Sequence, residues 1–252
     1  MVREEDVRLL AEFGDPESQF ELGRMYRNGW GVPQNDAEAL KWFRLSAEQG
    51  FAEAQFSLGW MYSAGEGTPR DHEEAAKWYL LAAEQGDPDA QFNIGLMYEK
   101  GMGVPKNEFE AACWFKKSAE QGNPKAQHNL GVMYQDGRGV TKSYVEAAIL
   151  YRQSAEQGSD LAQFNLGWMF KEGKGVLQDD SQAAKWFRLS AEQGNPRARH
   201  NLGMMYLEGA GVPQSNEEAL KWFRLSAEQG IPYSQFQLGL MYYEGTGVPQ
   251  SD

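Results

Sequence analysis

The chain has 252 residues, 36 acidic against 24 basic, and a formal net charge of −12. That balance argues against general nucleic-acid binding, which needs Lys and Arg to neutralise phosphates. No apolar run approaches the ~18 residues of a membrane-spanning helix, and the lone Cys113 excludes a disulfide framework within the chain.

From about Asp15 onward the sequence repeats every 36 residues without insertion or deletion. Phe20-Glu21-Leu22-Gly23 returns as Phe56-Ser57-Leu58-Gly59, Phe92-Asn93-Ile94-Gly95, Phe164-Asn165-Leu166-Gly167 and Phe236-Gln237-Leu238-Gly239. A fixed period of this length marks a solenoid, in which each unit buries its apolar face against its neighbours. The period predicts one repeat domain over 1–252. It comprises a partial helix B over 1–14, six repeats (15–50, 51–86, 87–122, 123–158, 159–194, 195–230) and a partial repeat over 231–252 with helix A only.

Each repeat reads as two antiparallel helices, A then B. Asp15-Pro16 supplies a capping oxygen and a proline where a missing N–H costs nothing; Asp87-Pro88, Asn123-Pro124 and Asn195-Pro196 repeat the device. Gly29 and Gly31 end helix A and Val32-Pro33 stops its continuation. Helix B starts near Asn35, with Glu38 three residues on. Ser143 with Glu146, and Ser215 with Glu218, are capping boxes; helix B closes at Gly50. Helical spacing puts Ser18, Leu22, Met25 and Tyr26 on one stripe of helix A, with Gly23 at its edge. Ala39, Phe43, Ser46 and Ala47 form the matching stripe of helix B, leaving Lys41, Arg44 and Glu48 to solvent. Methionine recurs at Met25, Met61, Met97, Met133, Met169, Met205 and Met241, where it fills core.

The pattern A-x-x-Q-F-x-L-G-x-M-Y-x-x-G-x-G-V-P, followed by E-A-x-K-W-F-R-x-S-A-E-Q-G, resembles the Sel1-like repeat, a relative of the tetratricopeptide repeat. The resemblance covers essentially the whole chain. It implies an all-α, right-handed α/α superhelical solenoid whose A helices line a concave surface. Its members are mostly non-enzymatic adaptors that assemble protein complexes or act in bacterial envelope and host-interaction roles. One branch carries a disulfide in each repeat, and this chain lacks those cysteines. The resemblance favours a periplasmic or secreted location although the sequence shows no signal peptide, so the compartment stays open.

In a repeat array, function belongs where the copies differ. The A-helix face opposite the Leu22/Met25 stripe supplies four such rows. One runs Glu17, Glu53, Asp89, Lys125, Leu161, Arg197, Tyr233, and a second Phe20, Phe56, Phe92, His128, Phe164, His200, Phe236. A third runs Arg24, Trp60, Leu96, Val132, Trp168, Met204, Leu240, and a fourth Arg27, Ser63, Glu99, Gln135, Lys171, Leu207, Tyr243. Aromatic residues are the usual anchors of interfaces. The phenylalanine row is nearly constant, which favours packing between successive A helices over binding. Trp60, Trp168, Met204 and Tyr243 vary between copies, which favours binding. Asn93, Asn129, Asn165 and Asn201 form a ladder that could hold a peptide backbone or bond between repeats. Lys125, His128, Arg197, Arg199 and His200 tint the middle of the array basic.

No catalytic, cofactor or metal constellation emerges. The glycine pairs follow no strand and precede no Walker lysine. His128 and His200 lie two repeats apart, His72 falls in the loop entering a B helix, and no histidine can be placed beside Cys113. Ser251 is positioned to cap a further B helix, and the last A helix keeps Leu238, Met241 and Tyr242 without a partner. The expectation is a fragment of a longer array or a C-terminal edge open to self-association. The reading is a scaffold that binds a protein or peptide, with no nucleic-acid partner, membrane insertion or cofactor. The alternative is binding of a glycan or cell-wall polymer.

Overall fold

The computed structural model describes residues 4–247, and among these there are fourteen α-helices and no strand. After α1 (Glu4–Glu12) come the pairs α2 (Pro16–Asn28) with α3 (Asp36–Glu48), and α4 (Ala52–Ala64) with α5 (His72–Glu84). Then follow α6 (Pro88–Lys100) with α7 (Glu108–Glu120), α8 (Pro124–Asp136) with α9 (Tyr144–Glu156), and α10 (Asp160–Glu172) with α11 (Asp180–Glu192). The last are α12 (Pro196–Glu208) with α13 (Asn216–Ala227), and α14 (Pro232–Glu244). Even-numbered helices are A helices and the odd ones from α3 are B helices. The chain divides into two compact units between Ala126 and Gln127, inside α8. Ser251 lies outside the described residues.

The helix ends follow local chemistry. The Asp15 carboxylate accepts the Ser18 N–H at 2.8 Å, and hydrogen bonding from the Ser18 hydroxyl, then from this amide, holds its pKa below the usual value. Asn35 accepts from the Ala37 and Glu38 amides at 3.1 Å, while Ser143 and Ser215 accept from Glu146 and Glu218. Gly29 stops α2 at φ 72°, a conformation costly for any residue with a Cβ. His72 departs from expectation: it is the first residue of α5, because the Asp71 side chain caps the Glu73 and Glu74 amides.

Within the first unit, the expected stripes meet. Leu22, Ala39, Phe43 and Ala47 are all at most 1% exposed. The glycine of each A helix sits under the buried aromatic of its own B helix, where a Cβ on Gly23 would come 2.6 Å from the Phe43 ring. The Ser46 hydroxyl donates to the Pro16 carbonyl at 2.6 Å. Successive pairs are joined by glutamines that the hydrophobic pattern does not announce. Gln55 is buried and donates to the Ala47 carbonyl at 3.1 Å, at the end of the preceding B helix. Its own carbonyl accepts from Gln85 at 2.8 Å.

The second unit repeats this framework. Gly167 lies under Phe187, and Ser190 donates to the Asp160 carbonyl at 2.8 Å. Gln163 donates to Ala155 and accepts from Gln193. Arg188 reaches from α11 to the Tyr206 hydroxyl of α12. Met133, Met169 and Met205 are at most 1% exposed, and Met241 is 2% exposed. Burying such a side chain contributes about 1.5–3 kcal/mol each, so the constant residues hold the helices together.

Candidate binding face on the A helices

In the first unit the A-helix face is half-buried and largely engaged by its own neighbours. The rings of Phe20, Phe56 and Phe92 lie 5.6–5.7 Å from Phe43, Tyr79 and Phe115 of the paired B helices. This row therefore takes part in A–B packing within each pair as well as lining the face. Arg24 closes a 2.7 Å ion pair with Glu21 and lies over the Phe20 and Trp30 rings. The half-buried Trp60 ring carries the Arg27 guanidinium 3.9 Å above its centroid. Leu96 and Asn93 are half-buried.

The face of the second unit is chemically different. His128, Phe164 and His200 stack at 5.7–5.8 Å on Tyr151, Phe187 and Phe223. Both histidines replace phenylalanine and keep its ring contact. Burial pushes the pKa of each down, with Asp160 opposing at His128 and Lys171 assisting at His200. The His200 Nδ1 has a partner in Ser234 Oγ at 2.9 Å, whereas the His128 Nδ1 is buried without one. Trp168 is half-buried beneath Lys174, whose ammonium stands 4.4 Å from its centroid. Met204 and Leu207 pack on the α13 cluster around Phe223; Leu240 and Tyr243 are exposed.

Several polar groups on this face are unspent. The half-buried amides of Asn129, Asn165 and Asn201 make no side-chain hydrogen bond among the described residues. Neither the Arg197 guanidinium nor the Lys171 ammonium closes an ion pair there. A cleft of about 360 Å³ opens among His128, Leu161, Phe164, Asn165 and Arg197.

One residue of the basic group leaves the face. Arg199 occupies the place that glutamine holds in the preceding repeats. Its Nε donates to the Ala191 carbonyl at 3.1 Å and its Nη1 to Gln229 at 2.9 Å. It stitches repeats together and is not a free cation. The glutamine row was the framework feature that the apolar pattern missed. Its signal in the sequence is a polar residue held constant beside a buried stripe. Among the described residues no cluster of His, Cys, Asp or Glu could hold a metal ion, and no helix is long and apolar enough to cross a membrane.

The Sel1 repeat family model matches residues 16–51, 52–87, 88–123, 124–159, 160–195, 196–231 and 232–252. The chain belongs to the Sel1 repeat family. Sel1 repeat proteins are in general protein-interaction scaffolds. The structure is similar to that of c5321, a protective antigen of uropathogenic Escherichia coli with the same repeat fold. The identity is 40% and the TM-score 0.91, over 97% of this chain and 52% of that one. The chain thus spans about half the length of that relative. A Sel1 repeat protein from Oxalobacter formigenes is 39% identical with a TM-score of 0.78, covering 98% of this chain and 72% of its own. No curated protein matches the chain.

Proposed function

We propose that this Sel1 repeat array receives a peptide or protein domain on its A-helix face and acts as a scaffold. The observation that carries the reading is the set of unspent groups on that face in the second unit. Asn165, Asn201, Arg197 and Lys171 offer hydrogen bonds and charge with no partner within the described residues, beside the 53%-exposed Leu161. Solvent reaches these groups and the fold does not use them, so beside the exposed apolar surface of Leu161 they are open to an incoming ligand. Framework residues are held alike from copy to copy, while the positions of Leu161, Arg197 and Lys171 vary.

Capture of partners from a cell lysate, compared between two variants, tests the proposal. Leu161→Glu places a charge on the A-helix face; Leu189→Glu places one on the outer face of α11, where Leu189 is 37% exposed. The proteins retained by the wild type should be lost by Leu161→Glu and kept by Leu189→Glu. The reverse pattern would move the binding surface to the B helices.

A further inference from the structure

Resting on the A-helix reading, we propose that the second unit selects an extended segment bearing two separated carboxylates, such as an acidic stretch of a partner protein. The chain carries 36 acidic residues against 24 basic ones, and several of its B-helix lysines are paired locally. Lys41, Lys77 and Lys221 pair with Glu38, Glu74 and Glu218. Arg197 and Lys171 close no ion pair, and they lie on a face that also offers free amides. Charge complementarity therefore points to an anionic occupant, even though the protein as a whole is anionic.

The groups are spaced for a chain. Arg197 belongs to the first row of the face and Lys171 to the fourth, ten helical positions along. At 1.5 Å per residue this is ~15 Å along the helices. With the ~8–10 Å between neighbouring helices added at right angles the span is ~17–18 Å, which an extended peptide covers in about five residues. Between the two cations lie Asn165, Asn201 and His200, so the ligand backbone passes over groups that can donate and accept. His200 feels the Lys171 charge, consistent with a locally positive field. Leu161 and Phe164 offer apolar contact at the Arg197 end. Asp160 acts on His128 and accepts from Asn195 at 3.3 Å, so the acid groups settle towards Arg197 and Lys171.

The test uses three capped, fluorescein-labelled nonapeptides built from alanine, threonine and leucine. One carries two glutamates five positions apart, the second carries glutamines there, and the third has its two glutamates adjacent. Fluorescence anisotropy on the whole chain should show the first binding about five- to tenfold tighter than the glutamine peptide, as two surface charge pairs allow, and about two- to fivefold tighter than the adjacent-glutamate peptide, which can close only one pair. Added salt should erase the difference. Arg197→Glu with Lys171→Glu should abolish the preference, and so should the milder Arg197→Gln with Lys171→Gln, with helical circular dichroism unchanged. Equal binding of the glutamate and glutamine peptides, both lost in Leu161→Glu, would overturn the acidic preference and leave the A-helix reading standing. Binding of no peptide, or tighter binding of a single-stranded oligonucleotide than of the glutamate peptide, would also overturn it. The lysate comparison above decides the A-helix reading on its own.

Discussion

Gln193 donates a hydrogen bond of 2.8 Å to the buried Gln163, which in turn donates to the Ala155 carbonyl at 3.1 Å. The two amides link the B helix of one repeat, through the next A helix, to the following B helix. Gln163 is only 5% exposed, so a broken bond there leaves a buried group unpaired. Gln163→Leu should therefore destabilise the protein by about 1–3 kcal/mol. Adding Gln193→Leu should cost less than the two single losses summed, because both act on one network. Urea unfolding of the two single variants and the double variant measures this; strictly additive losses would separate the residues energetically.

Gly167→Ala pits two effects against each other. Alanine is favoured over glycine inside a helix by about 0.5–1 kcal/mol. Its Cβ, however, would stand 2.8 Å from Cδ1 of Phe187, a ring that is 0% exposed and cannot step aside. Overpacking of this kind costs about 1–3 kcal/mol, so the variant should be net destabilised. A raised thermal midpoint would show that the helices slide apart to admit the methyl group.

His128→Phe restores the aromatic residue found at Phe92 and Phe164, and should change how stability depends on pH. Burial holds the His128 pKa below its ordinary 6.5 in the folded protein. The unfolded chain then binds the proton first as pH falls. Stability from this group is thus fully present above pH 6.5 and is lost as pH drops from there towards the depressed folded value. The advantage of His128→Phe over the wild type should grow between pH 8 and pH 5. Chemical denaturation at both ends of that range reads it out, and a constant difference would contradict the assignment.

Much of the fold was legible because its determinants are local. Asn35, Ser143 and Ser215 cap helices three residues away, and Gly29 terminates one in place. Leu22 and Phe43 follow helical spacing, so the stripes could be assigned without knowing any neighbour. Gly23 was legible as the edge of the stripe, but its neighbour there, the Phe43 ring, was not. The glutamine stitches were not, because Gln55 bonds eight residues back and to a residue thirty further on. A constant polar residue reads equally well as surface until those partners are placed. Arg199 looked like a surface cation for that reason, although it stands in the glutamine position. Trp60 illustrates the limit for the face itself: its variation between copies was visible, but the Arg27 cation lying over its ring comes from the preceding repeat.

Photo-crosslinking tests the A-helix account most directly. Benzoylphenylalanine is placed singly at Leu161, on the A-helix face, and at Leu189, on the outer face of α11. The account predicts that irradiation in lysate yields discrete partner adducts from the Leu161 position, competed away by unlabelled wild-type protein, and none from Leu189. Adducts formed at Leu189 with none at Leu161 would contradict it.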